Sequence, residues 1–390
     1  MARDRITRRR FVRDATAASA AMAAGAKAAR GVDGPAETED VKPRSYHENM
    51  EYRRLGKTGL MISAVSLGGH WKNIHTVIPD VCNGGHWLKA NLDDPRFQKN
   101  RHDVVSACID CGINYIDACT EPEVLAHARA LRGRRDAMHL GFSFYEHEMR
   151  FAEWQTTEKL LEALDDLMRR AKLDYVDFWR PTCYWTAKDN HTEADELAMI
   201  GAFDKAKRAG KVRFSGLSTH KHDWAIRMLK TYPEHVQAVV VPYTAGSKKA
   251  HARVEPGEGG WVGVAEDPSA QAPNLYSLID VVKECDAGWI GIKPFASGSI
   301  FKSQEAVDSP TREEDDERAR LTLRYVLAND ALTAAIPGMI TAEQVRNAAK
   351  AVGERRRLDL AESRRLERAV DEMWAGLPRN YQWLREWEYV

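Results

Sequence analysis

A chain of 390 residues with 57 basic and 57 acidic side chains has no net charge to hold it on a polyanion, so nucleic acid is set aside as a partner. Its 44% hydrophobic content is ordinary for a globular protein, and six cysteines over this length do not make a disulfide scaffold. Cys108 and Cys111 form a C-x-x-C, but inside a helical pattern and with no second pair at metal-ligand spacing. They read as small buried thiols, and no metal site is expected.

Residues 1–29 read as a twin-arginine export signal: Thr7-Arg8-Arg9-Arg10-Phe11-Val12-Arg13, an Ala-rich stretch from Ala15 to Ala26, and an A-x-A site at Ala26-Lys27-Ala28. The stretch is too short and too weakly apolar to span a bilayer. The expected product is periplasmic or extracytoplasmic, with no membrane insertion after signal removal. The alternative is a basic, disordered arm. Residues 30–50, with Pro35, Pro43 and several acids, read as a polar linker.

From Glu51 onward, strands and helices alternate. Glu51–Arg53 and Met61–Ser63, joined through Gly56-Lys57-Thr58-Gly59, read as a hairpin. Strand Ala64–Gly69 precedes helix Asp103–Cys111, and strand Asn114–Cys119 precedes helix Val124–Leu131. After strand Met138–Phe144, Leu160, Leu164, Leu167 and Met168 recur at helical spacing. Strand Tyr175–Trp179 leads to helix Glu196–Ala209, closed by Gly210. Strands Val212–Leu217 and Val236–Val241 flank helix Trp224–Lys230. Strands Trp289–Lys293 and Ala334–Ile336 flank a helix around Glu317–Leu327, and Thr341 caps the next helix. Leu360–Trp374 is one more amphipathic helix, followed by an aromatic tail, Arg379–Val390, expected against the outside of the fold.

Eight strands alternating with helices predict an α/β (β/α)8 TIM barrel over residues 51–352, with an N-terminal hairpin and an extra C-terminal helix and tail over 353–390. A doubly wound open sheet is the runner-up. Against it, Gly68-Gly69-His70-Trp71 lacks the G-x-G-x-x-G spacing of a dinucleotide turn. Long connections at Lys72–Asn100, Thr244–Pro273 and Ala296–Asp315 all follow strand C-termini, where barrel enzymes build their sites. In strand Asn114–Cys119 two apolar residues run into Asp117, a carboxylate that is costly in a core but at home at a barrel mouth.

The stretch Tyr52 to Leu60, followed by Ser66-Leu67-Gly68-Gly69, resembles the opening of aldo-keto reductases. So do Gly112 to Asp117, Leu173 to Asp177, Gly210 to Ser218, Lys293 to Gly298, and Ile336-Pro337-Gly338 followed by Glu343-Gln344-Val345. The match runs in order from about Glu51 to Val352. It implies the same barrel, and NADP- or NAD-dependent oxidation or reduction of a small-molecule carbonyl or alcohol. Such chemistry needs a proton donor for the alkoxide that hydride addition creates. The family's donor is a tyrosine tuned by a lysine, itself paired with an aspartate, with a histidine alongside.

Carried over residue by residue, the aspartate position is Asp117. The tyrosine position holds Pro122, the lysine position Ser143 and the histidine position Thr182, with the next histidine at His191. On the cofactor side, Gly69 lies in the matched opening. Ser218 matches the carboxamide-contacting serine, but Thr219 replaces an asparagine and Val240 falls near a glutamine position. Lys293, Pro294, Ser297 and Gly298, with Pro337 and Gly338, match segments that hold the phosphates and adenosine end. Gln344 stands where many relatives carry an arginine for the 2′-phosphate, with Arg346 two residues away.

By their places at strand ends, His70, Glu121, Tyr145, His147, Arg180, Tyr184 and His220 are further candidates for the mouth. Tyr145 is the chosen substitute acid and, with Asp117, makes up the expected catalytic set. Arg180 is expected to neutralise Asp117 or Glu121, while His147 and Glu148 read as loop solvation. Two function classes follow: an oxidoreductase with a rearranged acid, or a noncatalytic or repurposed barrel. The latter would bind a small molecule, such as a sugar, through the Trp- and His-rich loop His70–Trp87.

Overall fold

The computed structural model describes residues 42–183, 191–249, 277–303 and 309–390. The expected export signal, most of the linker, and Tyr184 lie outside the described residues.

Strands β1 (Tyr52–Arg54) and β2 (Met61–Ser63) pair antiparallel, with Tyr52 opposite Ser63, so the hairpin is shifted one residue from expectation at its first arm. At Gly56, where φ is +49°, a Cβ would come within 2.3 Å of the Gly288 nitrogen. Only a glycine lets this turn press against the barrel floor. Leu55, Leu60 and Ile62 plug that floor, packing with Tyr115, Phe178, Val240 and Ile290 in the barrel interior.

After β3 (Leu67–Gly68), helix α1 spans Pro95–Asp110. It starts well before Asp103 because the Asp94 carboxylate accepts from the Arg96 amide at 2.8 Å and Pro95 suits the first helical position. Strand β4 (Tyr115–Ala118) leads into α2 (Glu121–Ala130), started by a reciprocal cap between Thr120 and Glu123. Pro122 therefore sits in the first turn of a helix, where it costs no hydrogen bond. Next come β5 (His139–Phe142), α3 (Thr157–Ala171), β6 (Val176–Trp179) and α4 (Glu193–Arg208), with Gly210 at φ +72° just beyond it. Strand β7 (Val212–Ser218), α5 (His222–Thr231) and β8 (Ala238–Pro242) follow.

Helix α6 (Leu278–Glu284) was not foreseen; seven residues hold too little periodicity to stand out. Strand β9 (Gly288–Ile292) ends one residue before Lys293, which turns away at φ +61°. Helix α7 (Arg312–Leu327) begins ahead of Glu317, its first-turn acids Glu313, Glu314 and Asp315 complementing the helix dipole. Strand β10 (Ala334–Ala335), α8 (Ala342–Gly353) and α9 (Leu360–Ala375) complete the regular elements.

Strands β3 to β10 form one parallel sheet in sequence order. Its two ends meet: the Ala335 amide donates to Ala64 O at 2.9 Å, Ser66 N to Ala335 O at 2.9 Å, and Gly68 N to Pro337 O at 2.8 Å. That is the closed (β/α)8 barrel, and the doubly wound alternative falls. Between strands and helices runs the main core, into which Cys108 packs. Asp177, at strand β6, is buried under Arg135 (2.6 Å), Arg213 (3.0 Å) and the Leu140 amide (2.9 Å), a structural carboxylate rather than part of the mouth.

The C-terminal tail overturns one expectation. Arg379–Trp387 forms 3-10 turns that cover the mouth instead of the barrel's outside. Leu384, Trp387 and Val390 are fully buried. Ser247 Oγ donates to Trp387 O at 2.8 Å, the Trp387 indole to His220 O at 3.2 Å, and Ser277 Oγ to Val390 O at 2.9 Å. These partners all belong to loops and helix starts that follow β7 and β8, so the tail is roofed onto the C-terminal face.

Candidate active site

Parallel strands bring their C-terminal ends to one face, so Asp117, Ser143, Thr182 and Ser218 share it as expected; Thr182 and Ser218 are bridged directly. There a cavity of about 600 Å³ opens. It runs from the strand ends past the loop after β9 to the start of α8.

At its floor Asp117 and Arg180 form a buried pair, Arg180 Nε donating to Oδ1 at 3.0 Å and Nη2 to Oδ2. The Tyr115 hydroxyl adds a third bond, at 3.1 Å. Arg180 is 2% exposed and Asp117 5%, so each charge needs the other. Asp117 and its neighbours hold the guanidinium pKa above its ordinary value against the opposing effect of burial. An arginine from the end of β6 is thus the cation that pairs with Asp117.

Ser143 and Thr182 belong to a buried hydrogen-bond network. Ser143 Oγ lies 3.0 Å from Thr182 Oγ1 and donates to Glu148. The same carboxylate accepts from the Phe144 and Thr182 amides, each at 2.8 Å, and from the Trp179 indole at 3.2 Å. Glu148 is 1% exposed, so its reading as a solvated loop residue was wrong: four donors from Ser143, Phe144, Trp179 and Thr182 enclose it. Burial pushes its carboxyl up in spite of these donors.

Tyr145 lines the cavity, but from a short 3-10 turn (Tyr145–His147) rather than from β5, which ends at Phe142. Burial and the nearby Glu146 carboxylate push its phenol up, which weakens it as an acid. His147 packs edge-on to Phe144 and Trp154, and Glu121 pairs with Arg170 on the outside; neither reaches the cavity. His70 and His220 do line it.

Of the expected cofactor set, Gly69, Ser218, Lys293, Pro294, Ser297, Gly298, Pro337, Gly338 and Gln344 all line the cavity. Thr219 does not: it is 1% exposed, and its hydroxyl accepts from the Lys221 amide at 3.0 Å. Ser218 Oγ donates to Val240 O at 3.0 Å, which leaves its lone pairs for an incoming N–H. Gln344 is spent partly on its own helix start, its Oε1 accepting from the Ile340 amide at 2.8 Å. In the loop after β9, Lys293, Ala296 and Ser297 hold φ of +61°, +46° and +63°; three non-glycine residues in the left-handed region within five positions mark stored strain of the kind found at binding sites.

Sequence reasoning named His70 but missed its partner Glu123 and two further contributors. His70 Nδ1 meets Glu123 Oε1 at 2.5 Å, while Glu123 Oε2 accepts from the Cys119 amide at 2.8 Å. Burial alone would raise the Glu123 carboxyl, but His70 and the backbone donor outweigh it and bring it down to about 2. Burial, with Lys293 and Lys72 nearby, holds the His70 imidazole below its usual value. A neutral ring donating Nδ1–H to an ionised Glu123 satisfies both, and leaves Nε2 as the nitrogen not committed to the carboxylate. The reciprocal T-x-x-E cap over Thr120–Glu123 was legible in the sequence; its second use, as a partner for His70, was not.

The other two contributors come from opposite ends of the chain. Lys72, two residues after His70, donates to the Tyr381 hydroxyl and, at 2.7 Å, to Ser297 Oγ. Burial and the Lys293 charge pull its pKa down, while Tyr381 pulls the other way. His70, Cys119 and Glu123 have ligand atoms within 4.8 Å of one another. With Lys72 and Lys293 both in Coulomb range of His70, this end of the cavity suits an anion better than a metal cation. From the His70–Trp87 loop, Trp71 is buried in the loop's own small core, whereas His86 and Trp87 reach the cavity, Trp87 lying 4.5 Å from the His70 ring.

No family model matches the chain. Among curated proteins, L-galactose dehydrogenase of Arabidopsis thaliana is 21% identical over 327 residues, 78% of this chain and 89% of that protein. Among solved structures, an aldo-keto reductase of Bacillus halodurans in its holo form superposes with a TM-score of 0.53 at 18% identity, covering 82% of this chain and 96% of its own. An aldo-keto reductase of Klebsiella pneumoniae in complex with NADPH superposes with a TM-score of 0.54 at 18% identity, covering 82% of this chain and 94% of its own. What this likeness establishes is the fold: the chain carries the (β/α)8 barrel seen in aldo-keto reductases.

Proposed function

We propose that the protein is an NADP- or NAD-dependent oxidoreductase of the aldo-keto reductase family that acts on a small polar carbonyl or its alcohol. One observation carries the reading: a single cavity unites the expected nicotinamide contact, Ser218, with the strained, lysine-bearing loop Lys293–Gly298 and the turn Pro337-Gly338. A dinucleotide fits this lining in charge and in reach. Lys293 offers a cation for phosphate, Ser218 offers an acceptor to a carboxamide, and the lining extends to the start of α8.

When bound, the nicotinamide supplies or accepts a hydride. The chain's own residues must then orient the carbonyl and manage one proton. The Arg180 Nη1 nitrogen, not taken by Asp117, is a donor able to polarise a carbonyl oxygen at the floor. The L-galactose dehydrogenase relative and the aromatic rim of Trp87 and His86 favour a polyhydroxylated substrate over a plain alkyl aldehyde.

Titration with NADH and NADPH, followed by cofactor fluorescence, tests the reading: saturable binding of either supports it, and binding of neither sinks it. That second outcome would favour a repurposed barrel that holds a small molecule without redox chemistry, a reading motivated by Pro122 and the buried Ser143–Glu148–Thr182 network. We also propose twin-arginine export, on the strength of Arg8-Arg9 and the Ala-rich stretch after it. Arg8→Lys with Arg9→Lys should retain the protein in the cytoplasm, and unchanged export would rule that route out.

A further inference from the structure

We propose that Tyr381, presented by the C-terminal tail and held by Lys72, is the group that exchanges a proton with the substrate oxygen, a relocated acid in place of the one that Pro122 has removed. This rests on the oxidoreductase reading.

Geometry carries it. Tyr381 lines the same cavity as Asp117, Arg180 and Ser218. Lys72 Nζ donates to the phenolic oxygen while bonding Ser297 Oγ at 2.7 Å, and it lies 4.4 Å from the Tyr381 ring centroid. Because the ammonium is the donor, the phenolic proton remains available to a third partner.

The segment that presents Tyr381 is fixed rather than loose. Trp383 stacks on His220 with ring centroids 3.7 Å apart, and Leu384, Trp387 and Val390 are fully buried beside it. A tyrosine on a chain end is useful to catalysis only if the end is anchored in this way. Its electrostatics agree. Burial alone would raise the phenol's pKa, but the Lys293 and Lys72 charges and hydrogen bonds from Lys72 and Ser297 bring it down to about 8. The Tyr145 phenol in the same cavity is pushed the other way.

In the reducing direction the carbonyl carbon accepts a hydride from the dihydronicotinamide, which is thereby oxidised. The π electrons of the C=O bond pass to oxygen, which takes the phenolic proton as the O–H bond of Tyr381 breaks. Lys72 and Lys293 hold the phenolate until a solvent proton restores it. Oxidation of the alcohol runs the same path backwards.

Two measurements test this. Tyrosinate absorbance followed against pH should show one phenol ionising near pH 8 in the wild type, because the Lys293 and Lys72 charges favour the phenolate. That step should vanish in Tyr381→Phe, move upward in Lys72→Met and be largely restored in Lys72→Arg. Turnover of para-nitrobenzaldehyde with NADH or NADPH, or of L-galactose with the oxidised cofactors, should fall about 10²–10⁴-fold in Tyr381→Phe. Cofactor dissociation constants should change less than about threefold, since a phenol-to-phenyl change leaves the lysines in place. Wild-type turnover matched by Tyr381→Phe would overturn the proposal, as would the absence of an early-ionising phenol. Failure of the wild type to bind either cofactor would sink the oxidoreductase reading itself, and is distinguishable because the absorbance titration does not depend on it.

Discussion

The Asp117–Arg180 pair is the most heavily buried charge arrangement at the mouth, and Arg180→Met is the perturbation that tests it. The substitution keeps most of the side-chain volume and removes the donors at 3.0 Å and at Nη2. One bond to the carboxylate, from the Tyr115 hydroxyl at 3.1 Å, remains. A carboxylate 5% exposed then lacks its counter-charge. Breaking one half of such a pair costs about 3–5 kcal/mol. At roughly 2 °C per kcal/mol for a domain of this size, the melting temperature should fall by about 6–10 °C. Adding Asp117→Asn to Arg180→Met removes the orphaned charge, so the double variant should melt above Arg180→Met alone, with a coupling on the order of 1–3 kcal/mol. Thermal unfolding by circular dichroism, with all four members of the cycle, is the assay. A single variant as stable as wild type, or a double variant less stable than Arg180→Met, would refute the view that each charge is there to compensate the other.

Three other outcomes are expected. Trp387→Ala should cost about 3–5 kcal/mol by opening a cavity under the tail, and if the tail were merely draped on the surface, urea unfolding would show almost no change. The Glu146 carboxyl is pushed up to about 7 from 4.5 by burial, so the folded state binds its proton more tightly; stability is present in full below about pH 4.5 and is lost as pH rises through about 7. Glu146→Gln should flatten that limb of a stability–pH curve, and an unchanged slope would show that the carboxyl is better solvated than its position implies. If the proposed cofactor lies with its adenosine toward α8, NADH should bind roughly tenfold more tightly than NADPH, about 1.4 kcal/mol, because Asp315 and Asp316 line that end of the cavity and Arg346 sits on the surface beside Glu343; tighter binding of NADPH by calorimetry would reverse that inference.

The sequence by itself determined the architecture. Local patterns did this: apolar strands every few tens of residues, helical periodicity such as Leu160 to Met168, and the ordered motifs from Tyr52 to Val345. A parallel barrel places every strand C-terminus on one face, so the locations of Asp117, Ser218 and Lys293–Gly298 followed from their register alone. The residues at the positions matched to the family's tyrosine, lysine and histidine, Pro122, Ser143 and Thr182, were equally legible. What surrounds them was not. Glu148 looked like loop solvation until folding closed Ser143, Phe144, Trp179 and Thr182 around it. Arg180 could have met either of two carboxylates, and only the barrel's cross-section chose Asp117. Lys72 and Tyr381 lie more than three hundred positions apart, and no periodicity or spacing links them. Their meeting depends on where the tail docks, which is set by the burial of Leu384, Trp387 and Val390 against loops from elsewhere in the chain. Contacts of that separation carry no local sequence signal, because the free energy that forms them belongs to the packed surface and not to either segment.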